Sequence, residues 1–283
     1  MASLTLQSTI KLSDGNQIPL LGFGTYELDG KDAYKAVTWA LETGYRHIDS
    51  ATWYENEAEV GKAIRDFCTK TSTPRSEIFY TTKLMHNRGY DATLKAIQYS
   101  LDQAKLDYID LYLIHGPWGG REMRKECWRA CVQAKKEGKV KSIGISTFGV
   151  LHMKQLIEED TKGLEVPAVH QIDLHPFMTR TEIVEYSKQH GMVLEAWGSL
   201  ARGMRMKHPS IVNLAKKYNK APAHIFLRYS IQKGYVPLVK SSSKERIISN
   251  TEIFDFELTD EEVAHLDTLN ENLVTDWDPT DCP

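Results

Sequence analysis

No apolar run in this 283-residue chain approaches the ~18 residues that a membrane-crossing helix needs. The opening stretch, MASLTLQSTIKLSDG, lacks the basic region and apolar core of a secretory signal, so a cytosolic location is expected. No block of like charge stands out and the formal net charge is only -3, which argues against a nucleic-acid or membrane partner. Cysteine is scarce. Cys127 and Cys131 lie four apart in a helical pattern, but no His or second Cys pair has matching spacing. No metal is therefore expected, and Cys68, Cys127, Cys131 and Cys282 read as reduced structural thiols. Linkers and low-complexity segments are missing, so one domain over 1–283 is expected. A dinucleotide fingerprint is missing too: Gly22-Phe23-Gly24 is followed by Thr25, Tyr26 and Glu27, without the third glycine that an open doubly wound sheet would carry.

What is present is a strict alternation. Thr9 to Leu12 and Ile18 to Leu21 flank an Asp14-Gly15 turn and read as a hairpin capping the bottom of the fold. From Leu20 onward, short apolar runs alternate with amphipathic helices: LLGFG, then Lys31 to Glu42; YRHID, then Asn56 to Phe67; IFYTT, then Asp91 to Lys105, with Asp91 as a plausible cap. IDLYLI precedes a helix from Arg121 to Glu137, and VKSIGI one from Val150 to Ile157. AVHQIDL leads to a helix that a Thr179 to Glu182 capping box should start and Gly191 should stop. MVLEAW, helical patterns at Ser210 to Tyr218 and Pro222 to Gln232, the strand YVPLV and a short helix after Lys244 complete eight units. A second capping box, Thr259 to Glu262, opens a final helix before a short tail. Strands separated by helical crossovers lie parallel, and eight of them can close into a (β/α)8 barrel without an exposed edge.

Four ionisable groups sit at or just past the ends of successive predicted strands: Asp49, Tyr54, Lys83 and His115. A parallel barrel gathers such positions at one mouth. Taken singly, each fits a solvated strand end, a loop aromatic or a core histidine; their joint placement points to chemistry. A phenol with an ordinary pKa of roughly 10 is a poor proton donor near neutrality. A Lys83 ammonium held by Asp49 should lower that pKa and make Tyr54 a general acid in reduction and a base in oxidation. His115 could donate a hydrogen bond to a substrate carbonyl. After the last strand, Lys240, three serines and Arg246 at a helix start make a good phosphate site.

The ordered blocks GFGTYEL, HIDSATWYENEAEVGKAI, the lysine after IFYTT, DLYLIHGP, GKVKSIGIS, HQIDLHPF, VPLVKSSSKERIISN and FDFELTDEE resemble the aldo-keto reductase family along nearly the whole chain. The resemblance implies a (β/α)8 barrel that binds NADP(H) without a Rossmann domain, and a tetrad of Asp49, Tyr54, Lys83 and His115. It implies hydride transfer to a carbonyl carbon with Tyr54 protonating the oxygen. On the coenzyme side it implies carboxamide contacts from Ser146 and Gln171, with Thr147 where an Asn is usual, and Trp197 stacked on the nicotinamide. Thr25, Tyr26 and Asp49 are implied around the first loops, Ser199 and Leu200 by the pyrophosphate, and Lys240, Ser241, Ser242, Ser243, Arg246 and Asn250 around the adenosine 2′-phosphate and adenine. Lys240 and Arg246 together favour NADPH over NADH. Tyr26, Trp53, Tyr54, His115 and Trp118 are expected to line the substrate pocket.

The sequence departs from the family pattern at Thr147, at His170 (usually Asn), at Trp197 (usually Tyr) and at Gly116, where many members carry a Trp. His170 and Thr147 put the carboxamide contacts in question, and Gly116 leaves one pocket wall open unless Trp118 or Trp53 fills it. The expectation is an NADPH-dependent reductase of aldehydes, ketones, α-dicarbonyls, keto esters, keto lactones or sugars, acting as a monomer on a small-molecule carbonyl. A coenzyme-binding regulatory subunit is the second reading, weakened by the intact tetrad and by the lack of an added N-terminal segment. A phosphate-handling barrel isomerase or lyase is the third, and architecture alone is weak evidence for it.

Overall fold

The computed structural model describes residues 4–283. Strands β1 (Thr9–Lys11) and β2 (Gln17–Pro19) pair antiparallel with Ile10 opposite Ile18. Gly15 turns the hairpin at φ 93°, a left-handed geometry that a side chain would strain. Leu12 and Ile18 pack against Leu111, Leu113, Val169 and Val236, and the Asn16 amide donates to Lys141 O (3.1 Å) and Ser142 Oγ (3.0 Å). The hairpin therefore plugs the end of the barrel at which its strands begin.

The barrel strands are β3 (Gly22–Gly24), β4 (His47–Asp49), β5 (Phe79–Leu84), β6 (Ile109–Ile114), β7 (Val140–Ser146), β8 (Val169–Asp173), β9 (Val193–Trp197) and β10 (Val236–Val239). They pair in parallel in chain order, and β10 closes on β3 through Leu238 opposite Gly22. This is the expected (β/α)8 barrel. Around it run α1 (Gly30–Thr43), α2 (Glu57–Thr71), α3 (Tyr90–Ala104), α4 (Arg121–Lys136), α5 (Val150–Lys154), α6 (Thr181–Gln189), α7 (Pro209–Tyr218), α8 (Pro222–Gln232) and α9 (Lys244–Ser249), with α10 (Asp260–Asp267) after them.

Helix α1 shows why these segments pack as they do. Ala33, Ala36, Val37, Ala40 and Leu41 recur at helical spacing and are all buried, and Gly44 ends the helix at φ 114° with its N–H donating to Ala40 O and Leu41 O. Burying Val37 and Leu41 contributes about 1.5–3 kcal/mol each.

Three local expectations need correction. Helix α6 starts at Thr181 rather than from a Thr179 box: Arg180 takes a left-handed φ of 44°, and the Thr179 N–H donates to Asn270 Oδ1 (3.1 Å). Asp91 lies in the first turn of α3, because Gly89 occupies the cap position. The helix expected over Val150 to Ile157 keeps α-geometry only to Lys154 and then widens into a π-turn over Gln155–Asp160. The Thr259 box is formed in both directions, Glu262 N–H to Thr259 Oγ1 and Thr259 N–H to Glu262 Oε2. Cys127 and Cys131 lie on the buried face of α4, and no cysteine is bridged among the described residues.

Candidate active site

Side chains alternate along a strand, so every second residue of each barrel strand enters the interior. On β4 the inward pair is His47 and Asp49; on β5, Thr81 and Lys83; on β8, Gln171; on β9, Glu195. Gly22 lies at this level on β3, where a Cβ would come within 2.4 Å of Leu238 and 2.7 Å of His47. Its glycine thus serves the packing of the barrel interior.

Lys83 is fully buried, and its ammonium donates to Asp49 Oδ1 (2.7 Å), Ser50 O (2.8 Å) and Tyr54 Oη (3.2 Å). All three of its hydrogens are engaged. Burial works to lower its pKa, but the charge of Asp49 and the Tyr54 hydroxyl outweigh burial and hold it above the usual lysine value. Because the Tyr54 oxygen accepts from Lys83, the phenol hydrogen stays free for another acceptor. Tyr54 ends the short turn Thr52–Tyr54, and Glu55 leaves it in a left-handed conformation at φ 53°.

The expected lowering of the Tyr54 pKa is overturned. Burial pushes it up to about 12, and the opposing pull of Lys83 is partly cancelled by the Asp49 carboxylate and by Tyr26. Near neutrality the phenol therefore keeps its proton, and as a weaker acid than a free phenol it would give that proton only to an oxygen on which negative charge develops. His115 follows directly after β6. Burial, then the charge of Lys83, drives its pKa well down, so the ring is neutral. Its Nδ1 is buried without a partner among the described residues, which favours the tautomer with the proton on Nε2.

Aromatic rings wall this group. Trp53 lies 5.7 Å from the His115 ring and 5.4 Å from Trp118; Trp118 lies 5.1 Å from Trp277, which is itself 6.1 Å from His115. Tyr26 stands 5.2 Å from Tyr54. The wall left open by Gly116 is filled. The Trp118 ring lies where a side chain would go, 1.9 Å from an ideal Cβ, and Asn87 fixes the loop by donating to Gly116 O (2.8 Å) and Trp118 O (2.7 Å). Gly116→Ala should therefore expel the Trp118 ring. A several-fold rise in KM, with coenzyme affinity unchanged and a stability loss of about 1–3 kcal/mol, is expected in steady-state and urea measurements. An unaltered KM would remove Trp118 from the pocket wall.

Residues 20–271 match the Aldo/keto reductase family. The chain belongs to this family. It is 40% identical to an uncharacterised oxidoreductase of Schizosaccharomyces pombe over 282 residues, 99% of each chain. It is 39% identical to the glyoxal reductase of Bacillus subtilis, covering 95% of each. The solved structure of a Bombyx mori aldo-keto reductase in complex with NADP superposes with a TM-score of 0.90 at 34% identity, covering 98% of this chain and 97% of that one.

In this aldo/keto reductase the expected coenzyme residues divide into those that present polar atoms and those that do not. Gln171 donates through Nε2 to Asp49 Oδ2 (2.9 Å) and Glu195 Oε2 (3.0 Å), and its Oε1 accepts nothing among the described residues. Ser146 ends β7 with its hydroxyl 3.1 Å from that of Thr147. Thr147 has φ 57°, a strained geometry for a β-branched residue that an Asn takes more readily. Thr25 is fully buried with its hydroxyl on Asp49 O (3.0 Å), and Ser199 donates to Leu238 O (2.8 Å), so these two hold loops in place. Trp197 ends β9 half-buried, with Leu200 in the loop beyond it.

His170 lies outside the barrel interior. It points outward from β8, accepts the Phe148 N–H at Nε2 (3.2 Å) and meets Ser187 Oγ on α6 through Nδ1 (2.9 Å). Just past β10, Arg246 Nε donates to Ser241 Oγ (3.2 Å), and Ser243 caps α9 through the Arg246 N–H. Ser242, Lys240 and Arg246 are exposed, and Asn250 is buried at the end of α9. Lys240 faces Glu27 at 3.9 Å, and Arg202 ties Glu27 (3.0 Å) to Asp276 (2.7 Å).

Sequence reasoning missed three residues here. Glu195 and His47 were hidden inside apolar runs, where a charged residue mid-strand was the available signal. Trp277 sits in a polar tail whose docking depends on Asp173, which accepts from Thr275 Oγ1 (3.1 Å), and on the Arg180–Asp278 pair (3.1 Å).

Proposed function

We propose that this protein reduces aldehyde and ketone carbonyls with NADPH, with Tyr54 as the proton donor. The observation that carries this reading is the Lys83 ammonium, whose three hydrogens are engaged so that the Tyr54 oxygen accepts one of them while its own hydrogen remains to be given. Bound NADPH supplies the hydride. Tyr54 gives its proton to the carbonyl oxygen, and Lys83 stabilises the phenolate left behind. Neutral His115 donates from Nε2 to the same oxygen and orients it. The indoles of Trp53, Trp118 and Trp277 exclude water and favour flat, uncharged substrates. Small α-dicarbonyls are the first class to test, because a relative of 39% identity is a glyoxal reductase.

The coenzyme assignment is supported by the free Gln171 Oε1, by the hydroxyl and guanidinium cluster of Ser241, Ser243 and Arg246, and by the NADP bound to the Bombyx mori relative. Arg246→Ala removes a charge-assisted contact to a 2′-phosphate worth about 1.5–3 kcal/mol, so NADPH should bind about ten- to a hundredfold more weakly while NADH changes little. Equal losses for the two coenzymes in fluorescence titrations would refute a 2′-phosphate site. The reading as a whole is tested by NADPH consumption against aldehydes, diketones, keto esters, keto lactones and sugars. Tight NADPH binding without reduction of any of them would favour a regulatory subunit instead.

A further inference from the structure

Below the tetrad lies a second carboxyl group that the proposed chemistry does not use. Glu195 enters the barrel from β9 fully buried, with Oε2 3.0 Å from Gln171 Nε2 and Oε1 3.3 Å from His47 Nε2. We propose that Glu195 is a positioning residue for coenzyme recognition: with Asp49 it holds both amide hydrogens of Gln171 and so turns Gln171 Oε1 toward the coenzyme's carboxamide. This rests on the reading that Gln171 meets that carboxamide.

The argument is one of donors and acceptors. A Gln amide offers two hydrogens on one side and an acceptor oxygen on the other. Here two carboxyl groups face the same amide nitrogen, Asp49 Oδ2 at 2.9 Å and Glu195 Oε2 at 3.0 Å. With the Glu195 hydrogen directed to His47, a flipped amide would bring its oxygen against the Asp49 carboxylate and the accepting Oε2 of Glu195, replacing two attractions with two repulsions. With Asp49 alone, the rigid amide plane could still swing about that single bond and carry Oε1 out of line. The orientation is therefore fixed by the second acceptor. It leaves Oε1 as an acceptor for the carboxamide NH2.

Glu195 can do this as a neutral acid. The ionisable groups facing it are Asp49 and His47 from β4 and Lys83 from β5, while β3 and β10 contribute none. Burial, then the Asp49 charge, pushes the Glu195 carboxyl up to about 8, and burial with the Lys83 charge takes His47 down to about 3. A neutral Glu195 accepts from Gln171 on Oε2 and can give its own hydrogen to His47, so a Gln side chain can replace it in both contacts.

The test compares binding of NADPH with that of its 3-acetylpyridine analogue, which lacks the amide hydrogens, by tryptophan fluorescence in Glu195→Gln, Glu195→Asp and Glu195→Leu. Adenosine 2′,5′-bisphosphate serves as a probe of the other half of the site. Wild type and Glu195→Gln are expected to favour NADPH over the analogue by about tenfold, as one lost hydrogen bond implies. Glu195→Leu and the shortened Glu195→Asp should bring that preference toward unity with bisphosphate affinity unchanged. Should Glu195→Leu fail to fold, the Asp and Gln variants decide. Full preference retained by Glu195→Asp or Glu195→Leu, or lost by Glu195→Gln, overturns the proposal. Wild type lacking any preference overturns the carboxamide reading itself.

Discussion

Tyr54→Phe is expected to lower kcat for carbonyl reduction by about a hundred- to ten-thousandfold while leaving NADPH affinity nearly unchanged. Phenylalanine keeps the ring against Tyr26 and His115 and deletes only the oxygen that accepts from Lys83. The ground-state pocket survives, and the group that protonates the product oxygen does not. Since burial holds the Tyr54 pKa up to about 12, wild-type reduction should show no ionisation of this residue across the neutral range. Oxidation of the alcohol needs the phenolate and should accelerate as pH rises. The comparison requires kcat and coenzyme Kd for both proteins; a Phe variant with near wild-type turnover would transfer the proton-donor role to another group.

Lys83→Met should damage stability and turnover together. The side chain is fully buried and its partner Asp49 nearly so, at 2.7 Å. Removing one member of a buried ion pair leaves an uncompensated charge, a loss of about 3–5 kcal/mol. The loss should appear in urea unfolding, and turnover should fall with it because the Tyr54 phenolate loses the ammonium that its oxygen faces. Adding Asp49→Asn removes the stranded charge while keeping an acceptor for Gln171, so the double variant should recover most of the stability and none of the turnover. That separation distinguishes the electrostatic role of Lys83 from its packing. A single variant as stable as wild type would mean that Asp49 takes up a proton without cost once Lys83 is removed.

Much of the fold was legible because its signals are local. Apolar runs and helical stripes repeat eight times, and the Thr259 box and the Asp14-Gly15 turn depend on neighbours within a few residues. Lys83 and Asp49 could be brought together on paper because parallel strands must end at one mouth. The Thr179 box failed where a local rule met a distant partner: Asn270 takes the Thr179 N–H, and the helix begins two residues later.

By itself, then, the sequence determined the barrel, the order of its strands and the side chains at their ends, since periodicity and alternation need only the residue and its neighbours. Only the tertiary structure decided that Trp118 fills the place of a side chain at Gly116, that Trp277 returns to the mouth, that His170 faces away from the site and that Tyr54 is held protonated. Each of these depends on groups distant in sequence: ring contact between separate loops, the docking of the tail on Asp173 and Arg180, and the removal of water from around a phenol, which outweighed the nearby ammonium.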